Sequence, residues 1–594
     1  MKIARLTLLA SLGVWFGSVH PAQAQWQTQS ILVKPGWSAV YLHVDPSYTN
    51  LDYQVGGDGN NPIDQVWLWI PTASTIQFVT SPQTPLTGSS QWASWVRGGG
   101  AGTTLGSMIP NAAYLVHSQA TTNYTWKVKG KTTTPNYSWT TTGINLVGFP
   151  TVSSNAPLFD TFLSLVPAFQ SVADIYQYLG GDLGPSNPMQ VFAPHTVTVT
   201  RGTAFWIRSS SYFNNYFGPF QVALGNSGVA FGDSTSLAAF HLRNTTPSSV
   251  TVQLQLLPSE TAPTGQAPIA GVPPLVVRGA LNSSNLTYGA TILTNTNSLS
   301  WTLPPQGQSG SDIVITLGLN RAAFSGSPAA LYAGILKFTD SYNFTDVDVP
   351  VSAQPATYSG LWVGSASVSQ VANYLKIYQR DLNNSPVLGT NGAYIVTGVN
   401  TNLGAVSSPF PLRLIVHNNG TNVVLLQRVF YGPDPYSNNI LTTSESKLDP
   451  GQLGNARRIS AVQLPLTATN QTWSFAGQLV PGGTLSTTVN LPYDDQASNP
   501  FLHTYHPDHD NLDATFQHEL PGGSESYGIS RQITLSLNSP GSDFVSLTQF
   551  GQAFQGAYTE TITMTGLGNA TRTFNVAGTF ALSRISSIPV LTRP

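Results

Sequence analysis

The stretch Thr573-Phe574-Asn575-Val576-Ala577-Gly578-Thr579-Phe580-Ala581-Leu582 decides the fold. Phe574, Val576, Gly578, Phe580 and Leu582 alternate with Thr573, Asn575, Ala577, Thr579 and Ala581. A strict period of two places every large apolar side chain on one face of a strand, whereas a helix would scatter them. Shorter runs of the same kind precede it: Gly360-Leu361-Trp362-Val363-Gly364, then Pro411 to His417, Val423 to Phe430, Trp473 to Leu479, Thr484 to Leu491, Ser530 to Leu537 and Ala557 to Met564. Eight antiparallel strands with one apolar face each can close on themselves, and closure removes vulnerable sheet edges. Residues 354–594 are therefore predicted to form a C-terminal antiparallel β-barrel.

Upstream, the strand signal continues in other units. Residues 225–353 contain Leu237 to Asn244 and Val250 to Leu256, which read as a hairpin around Thr245 to Ser249. Asp312 to Leu317, Ala333 to Phe338 and Asp346 to Val351 follow. About seven short strands at such spacing suit a two-sheet sandwich. Before it lies a weak internal repeat. Gly36-Trp37-Ser38-Ala39-Val40-Tyr41-Leu42, Val66-Trp67-Leu68-Trp69, Ala113-Tyr114-Leu115-Val116 and Trp126 to Gly130 make the first copy, residues 25–131. Gly143 to Pro150, Ile175-Tyr176-Gln177-Tyr178, Ala204-Phe205-Trp206-Ile207 and Pro219-Phe220-Gln221-Val222 make the second, residues 132–224. Phe159, Phe162, Leu163 and Val166 recur at helical spacing just after Pro157, which predicts one short helix. The fold class read from the chain is all-β, with tandem small β-repeats, an immunoglobulin-like sandwich and the barrel.

Residues 1–24 read as an export signal. Lys2 and Arg5 precede the apolar run Leu6 to Val19, which is too short to span a bilayer, and Ala22-Gln23-Ala24 supplies small residues for cleavage before Gln25. No later segment approaches the roughly 20 apolar residues of a spanning helix, so no transmembrane segment is expected after cleavage. The expected location is secreted or cell-surface, with the periplasm as another destination. The chain has no cysteine, which excludes disulfides, thiolate metal sites and cysteine catalysis.

Charge is scarce. Only 8% of residues are Asp, Glu, Lys or Arg, against about a quarter in ordinary proteins. Without Lys2 and Arg5 the balance is 22 basic against 26 acidic residues. No basic stripe exists, so nucleic acid is not an expected partner. A neutral surface rich in Asn, Gln, Ser and Thr suits polysaccharide or cell-surface components. Trp92 and Trp95, set between Ser-rich and Gly-rich stretches, are the candidates for exposed ligand contact; filling the core is the other use of such rings.

One segment breaks this neutrality. Between Asp494 and Glu525 fall four of the ten histidines and seven of the 26 acids. His503, His506 and His509 with Asp508 or Asp510 would suit zinc, and Asp508, Asp510 and Asp513 would suit calcium. The alternative is a hydrogen-bonded loop sealing one end of the barrel, in which Asp caps turns and His bonds to backbone carbonyls. The spacing is not H-E-x-x-H, and no G-x-S-x-G elbow, P-loop or dinucleotide glycine pattern occurs, so no catalytic residue is assigned.

The repeat blocks resemble a module of secreted multi-domain β-proteins of environmental bacteria, with a GWN-LVGFPV opening, a VYxY middle and a GxAYWI close. Residues 225–353 are similar to bacterial immunoglobulin-like domains, and Gly360-Leu361-Trp362-Val363-Gly364 resembles the opening of lipocalin-like and avidin-like barrels. Pro409 to His417, Leu425 to Val429, Asn499 to Asn511 and Phe574 to Phe580 resemble a C-terminal domain recurring in secreted bacterial proteins. The resemblance implies small β-rich domains and carries no activity. The functional expectation is a non-catalytic protein of adhesion, matrix or glycan binding; the alternative is a metal-dependent hydrolase centred on the His/Asp cluster.

Overall fold

The computed structural model describes residues 25–70, 79–99, 103–135, 143–166, 173–209, 216–325, 327, 329–355, 357–461, 472–492, 527–549, 551–565 and 571–593. The chain divides into two compact units. One comprises residues up to 278, 291–319 and 324–355; the other comprises 279–290, 320–323 and 356–594.

The second unit holds a closed eight-stranded barrel. Its strands are β1 (Gly360–Tyr378), β2 (Val396–Asn418), β3 (Val423–Leu426), β4 (Thr472–Gly477), β5 (Thr484–Leu491), β6 (Gly528–Leu537), β7 (Ala553–Thr565) and β8 (Thr571–Ser586). Neighbours in sequence pair antiparallel, and β1 closes the ring on β8, with Trp362 opposite Arg584 and Val371 opposite Val576. The alternation in β5 sets the polarity of the wall. Leu485, Val489 and Leu491 are buried in the barrel core, while Thr484, Ser486, Thr488 and Asn490 face outward. Thr487 also points inward and donates its hydroxyl to the Ser474 carbonyl at 2.8 Å.

Glycines let the wall curve. A Cβ at Gly364 would overlap the Ala581 carbonyl oxygen, and one at Gly578 the Ser367 carbonyl oxygen. Against β8 the ladder also slips by one residue between Val368 and Gln370 of β1, a bulge that bends the strand. Beyond β3 the chain continues into a four-stranded sheet in the order Arg457–Ser460, Arg428–Pro433, Asn439–Thr442, Leu591–Thr592.

In the first unit the repeat is visible as topology. The first copy forms a four-stranded sheet in the order Gly36–Leu42, Ala112–Ser118, Ile63–Trp69, Trp92–Val96. The second has Asn145–Val147, Phe205–Ser209, Ala173–Gln177, Met189–Gln190, which is the same order of opening, closing, middle and edge strands. One core holds Tyr41, Trp67, Trp69 and Trp92 of the first sheet together with Phe205 and Trp206 of the second sheet and Phe149, Phe159 and Phe162 from the loop and helix of the second repeat. Trp69 meets Trp206 edge to face at 5.3 Å. The other face of the first sheet packs Val40, Val66, Trp95 and Tyr114 on Ile31, Val33, Trp126 and Val128 from the strands Trp26–Val33 and Tyr124–Thr132. A sheet covered on both faces has no reason to alternate, which is why Ala39-Val40-Tyr41-Leu42 reads as a continuous apolar run. The short helix lies at Phe159–Leu163, as the periodicity predicts.

The sandwich that follows the repeats in the chain has a five-stranded and a six-stranded sheet. Two sequence expectations change here. Phe220–Ala223 is not the close of the second repeat; it pairs with Leu237–Asn244 and begins the sandwich. Leu237–Asn244 and Val250–Pro258 are not a hairpin either, because they belong to opposite sheets. Their apolar faces, Phe240 and Leu242 against Val250, Val252, Leu254 and Leu256, meet across the core. The crossing is fixed by buried Asn244, whose amide donates to the carbonyls of Ser248 and Pro304 at 2.7 Å each while its oxygen accepts from the Thr246 N–H at 2.8 Å.

Candidate functional site

The proposed aromatic contacts are in the interior. Trp92 is 5% exposed and Trp95 1% exposed, so neither offers a face to ligand. They are an odd number of residues apart on one strand, and so they point to opposite faces of a sheet covered on both sides. Trp92 packs edge to face on Trp69 at 5.0 Å. Trp95 donates its indole N–H to Asp52 Oδ1 at 2.8 Å from the opposite core. The polar flanks that suggested exposure belong to turns at the ends of an edge strand, not to the strand itself.

His503, His506, Asp508, His509, Asp510 and Asp513 lie outside the described residues. Their segment joins the ends of β5 and β6, whose last described pair is Leu491 with Ile529. Among the described residues no group of three His, Asp or Glu side chains is placed to hold a metal ion, and no helix is long and apolar enough to cross a membrane.

The charged groups the structure does bring together were not singled out by sequence. The strand Asp346–Ala353 is buried along its whole length. Val347, Val349 and Val351 enter the sandwich core, which leaves Asp346 and Asp348 on the opposite face. There Arg201, from the turn before Gly202 in the second repeat, donates to Asp348 Oδ2 at 3.1 Å, to the Asp346 carbonyl at 2.7 Å and to the Thr151 carbonyl at 3.3 Å. Lys337 Nζ, from the neighbouring strand, lies 2.7 Å from Asp346 Oδ2. Burial, then the adjacent Asp346 charge, pushes the Asp348 carboxyl up to about 6 despite the pull of Arg201. His43 of the first repeat is buried nearby. Burial, then the Arg201 charge, holds its imidazole well below the ordinary value, so it stays neutral.

This cluster joins both repeats to the sandwich. Its chemistry is that of a tie: the charges neutralise one another away from water, and Asp348 and Asp346 each keep one buried oxygen without a hydrogen bond. Buried pairs of this kind add little net stability, but removing one member is costly. The sequence signal was available in Asp346-Val347-Asp348-Val349, two acids alternating with valine in a chain poor in acids. Alternation alone assigns such acids to solvent.

A second tie lies inside the barrel. Arg531 of β6 and Glu560 of β7 form an ion pair, and the Tyr558 hydroxyl donates to Glu560 Oε2 at 2.7 Å. Glu560 and Tyr558 are buried. Burial, then the Glu560 charge, raises the Tyr558 phenol far above its ordinary value, so it remains a donor. A third lies at a shallow depression of about 300 Å³ lined by Ser259, Glu260, Gln266, Ile269 and Ala333. Burial works to raise the Glu260 carboxyl, but hydrogen bonds from the Thr28 N–H and hydroxyl and the charge of Lys129 leave it below the usual value. That carboxylate pins the strand Trp26–Val33 to the sandwich.

No family model matches the chain, and no curated protein matches it. Among solved structures, the CupB2 chaperone of Pseudomonas aeruginosa is similar at 9% identity over 36% of this chain and 95% of that one, with a TM-score of 0.14. A protein of unknown function from Bacteroides ovatus is similar at 7% identity over 62% and 95%, with a TM-score of 0.17. Likeness at this level carries no functional argument.

Proposed function

We propose that the chain is an exported, non-catalytic surface or extracellular protein that attaches to neutral, hydroxyl-rich polymers such as glycans. The observation that carries this reading is the chemistry of the outward strand faces. Thr484, Ser486, Thr488 and Asn490 on the barrel, and Thr251 with Thr302 and Gln253 with Ser298 on the sandwich, present rows of hydroxyls and amides with almost no charge. Such rows exchange hydrogen bonds with water for hydrogen bonds with sugar hydroxyls at little net cost. The interior charges meanwhile serve as ties between strands.

The test is co-sedimentation of the mature chain, residues 25–594, with insoluble plant, algal and bacterial polysaccharides at low and high salt. Binding that is insensitive to salt supports attachment through neutral groups. Silence across all of them, or binding abolished by salt, retires it. Fractionation of producing cells checks export, and retention of full-length chain in the cytoplasm would overturn that half of the reading.

A further inference from the structure

We infer that Gln25 is a modification site, closing into a pyroglutamyl end that the folded protein buries. The inference rests on the export reading, which places cleavage before Gln25. Gln25 is wholly buried, and neither polar atom of its side-chain amide has a hydrogen-bond partner. Its backbone carbonyl accepts from the Thr132 N–H at 2.9 Å, which fixes it at the start of the strand Trp26–Val33. Trp26 follows, wholly buried, with its N–H donated to Ser259 Oγ at 2.7 Å and its ring edge to face with Tyr48 at 4.9 Å.

A freshly cut chain would carry an α-ammonium at this place. An unpaired buried ammonium is among the costliest groups a fold can hold. The neighbouring charge has the wrong sign: Lys131, opposite Trp26 in the ladder, places its Nζ 5.6 Å from the Trp26 ring centroid. The nearest carboxylate on the facing segment, Glu260, is already engaged by Thr28 and Lys129.

Glutamine at a chain end has its own remedy. The α-amine attacks Cδ of the side-chain amide and an N–C bond forms. The Cδ–Nε2 bond breaks, and the departing nitrogen takes up the amine proton and leaves as ammonia. The five-membered lactam is neutral, and closure expels one of the two unpartnered amide atoms. No oxidant, metal or second substrate is consumed. Closure takes place on the free end, before the strand docks.

Intact-mass measurement of the exported protein tests this. The expected mass is that of residues 25–594 less one ammonia, with an end refractory to stepwise amino-terminal degradation. Pyroglutamyl aminopeptidase is expected to leave the native protein untouched and to open the denatured one. A free amine on Gln25 overturns this inference and leaves export standing. An end at another residue overturns the cleavage position on which both rest. Removal of the lactam from native protein overturns the buried placement.

Discussion

Asp348 carries two opposing demands, an ion pair with Arg201 and burial beside Asp346. Burial prevails, and the carboxyl is held up to about 6. A carboxyl raised above its unfolded value favours folding while protonated, and that contribution is lost as pH rises through the folded value. His43 has the opposite sign, since a depressed imidazole loses stability as pH falls. Comparison with Asp348→Asn separates them. The variant is expected to gain on the parent protein by on the order of 2 kcal/mol between pH 4 and pH 7.5, measured by denaturant unfolding of the first unit. A difference that does not change with pH would show that Asp348 is ionised throughout. At the same scale, Trp92→Ala is expected to cost about 3–5 kcal/mol as a core truncation. If polysaccharide binding survives wherever the variant remains folded, the ring has no ligand role. These residues show the limit of reading by neighbours. Trp92 and Trp95 were candidates for exposure because their flanks are polar, yet both faces of their sheet are covered; the alternation of Asp346 and Asp348 with valine gives no sign that Arg201 covers them.

Among the elements, β8 was the most legible, because Phe580 and Leu582 alternate with outward residues over a long run. Pattern fixes which side of a strand is buried and does not fix its partner, which is why Leu237–Asn244 and Val250–Pro258 read as a hairpin although they lie in opposite sheets. The curvature of the barrel depends on residues with no apolar signal. Gly578→Ala is expected to destabilise the second unit by about 1–3 kcal/mol, because the added methyl meets a backbone oxygen that cannot move without breaking the ladder. An unchanged melting temperature would mean that β1 and β8 are farther apart than described. Arg531→Met leaves Glu560 buried and unpaired and is expected to cost about 3–5 kcal/mol; replacing Glu560 by Leu as well should recover most of it. Equal stability of the single and double variants would count against a buried pair.

At the scale of the whole molecule, two units with separate cores predict two calorimetric transitions. Gly578→Ala should lower one of them and Asp348→Asn should shift the other with pH. A single transition moved by both substitutions would refute independence. The division into repeats, sandwich and barrel was legible because each has its own strand rhythm. That the repeats and the sandwich form one unit was not, because the ties between them, Arg201 with Asp348 and Glu260 with Thr28, join residues more than a hundred positions apart.

The pairing of β1 with β8 has a consequence for how the protein is made. The first staves of the cask wait for the last: Ser359 receives its hydrogen bond from Arg584, 225 positions downstream. Contacts that distant form late and slowly. Until synthesis reaches the final strand, β1 has only one neighbour and its free side is open to any other unpaired chain. A ribosome stopping a few dozen codons early would therefore release an adhesive, half-built sheet in place of a slightly shortened barrel.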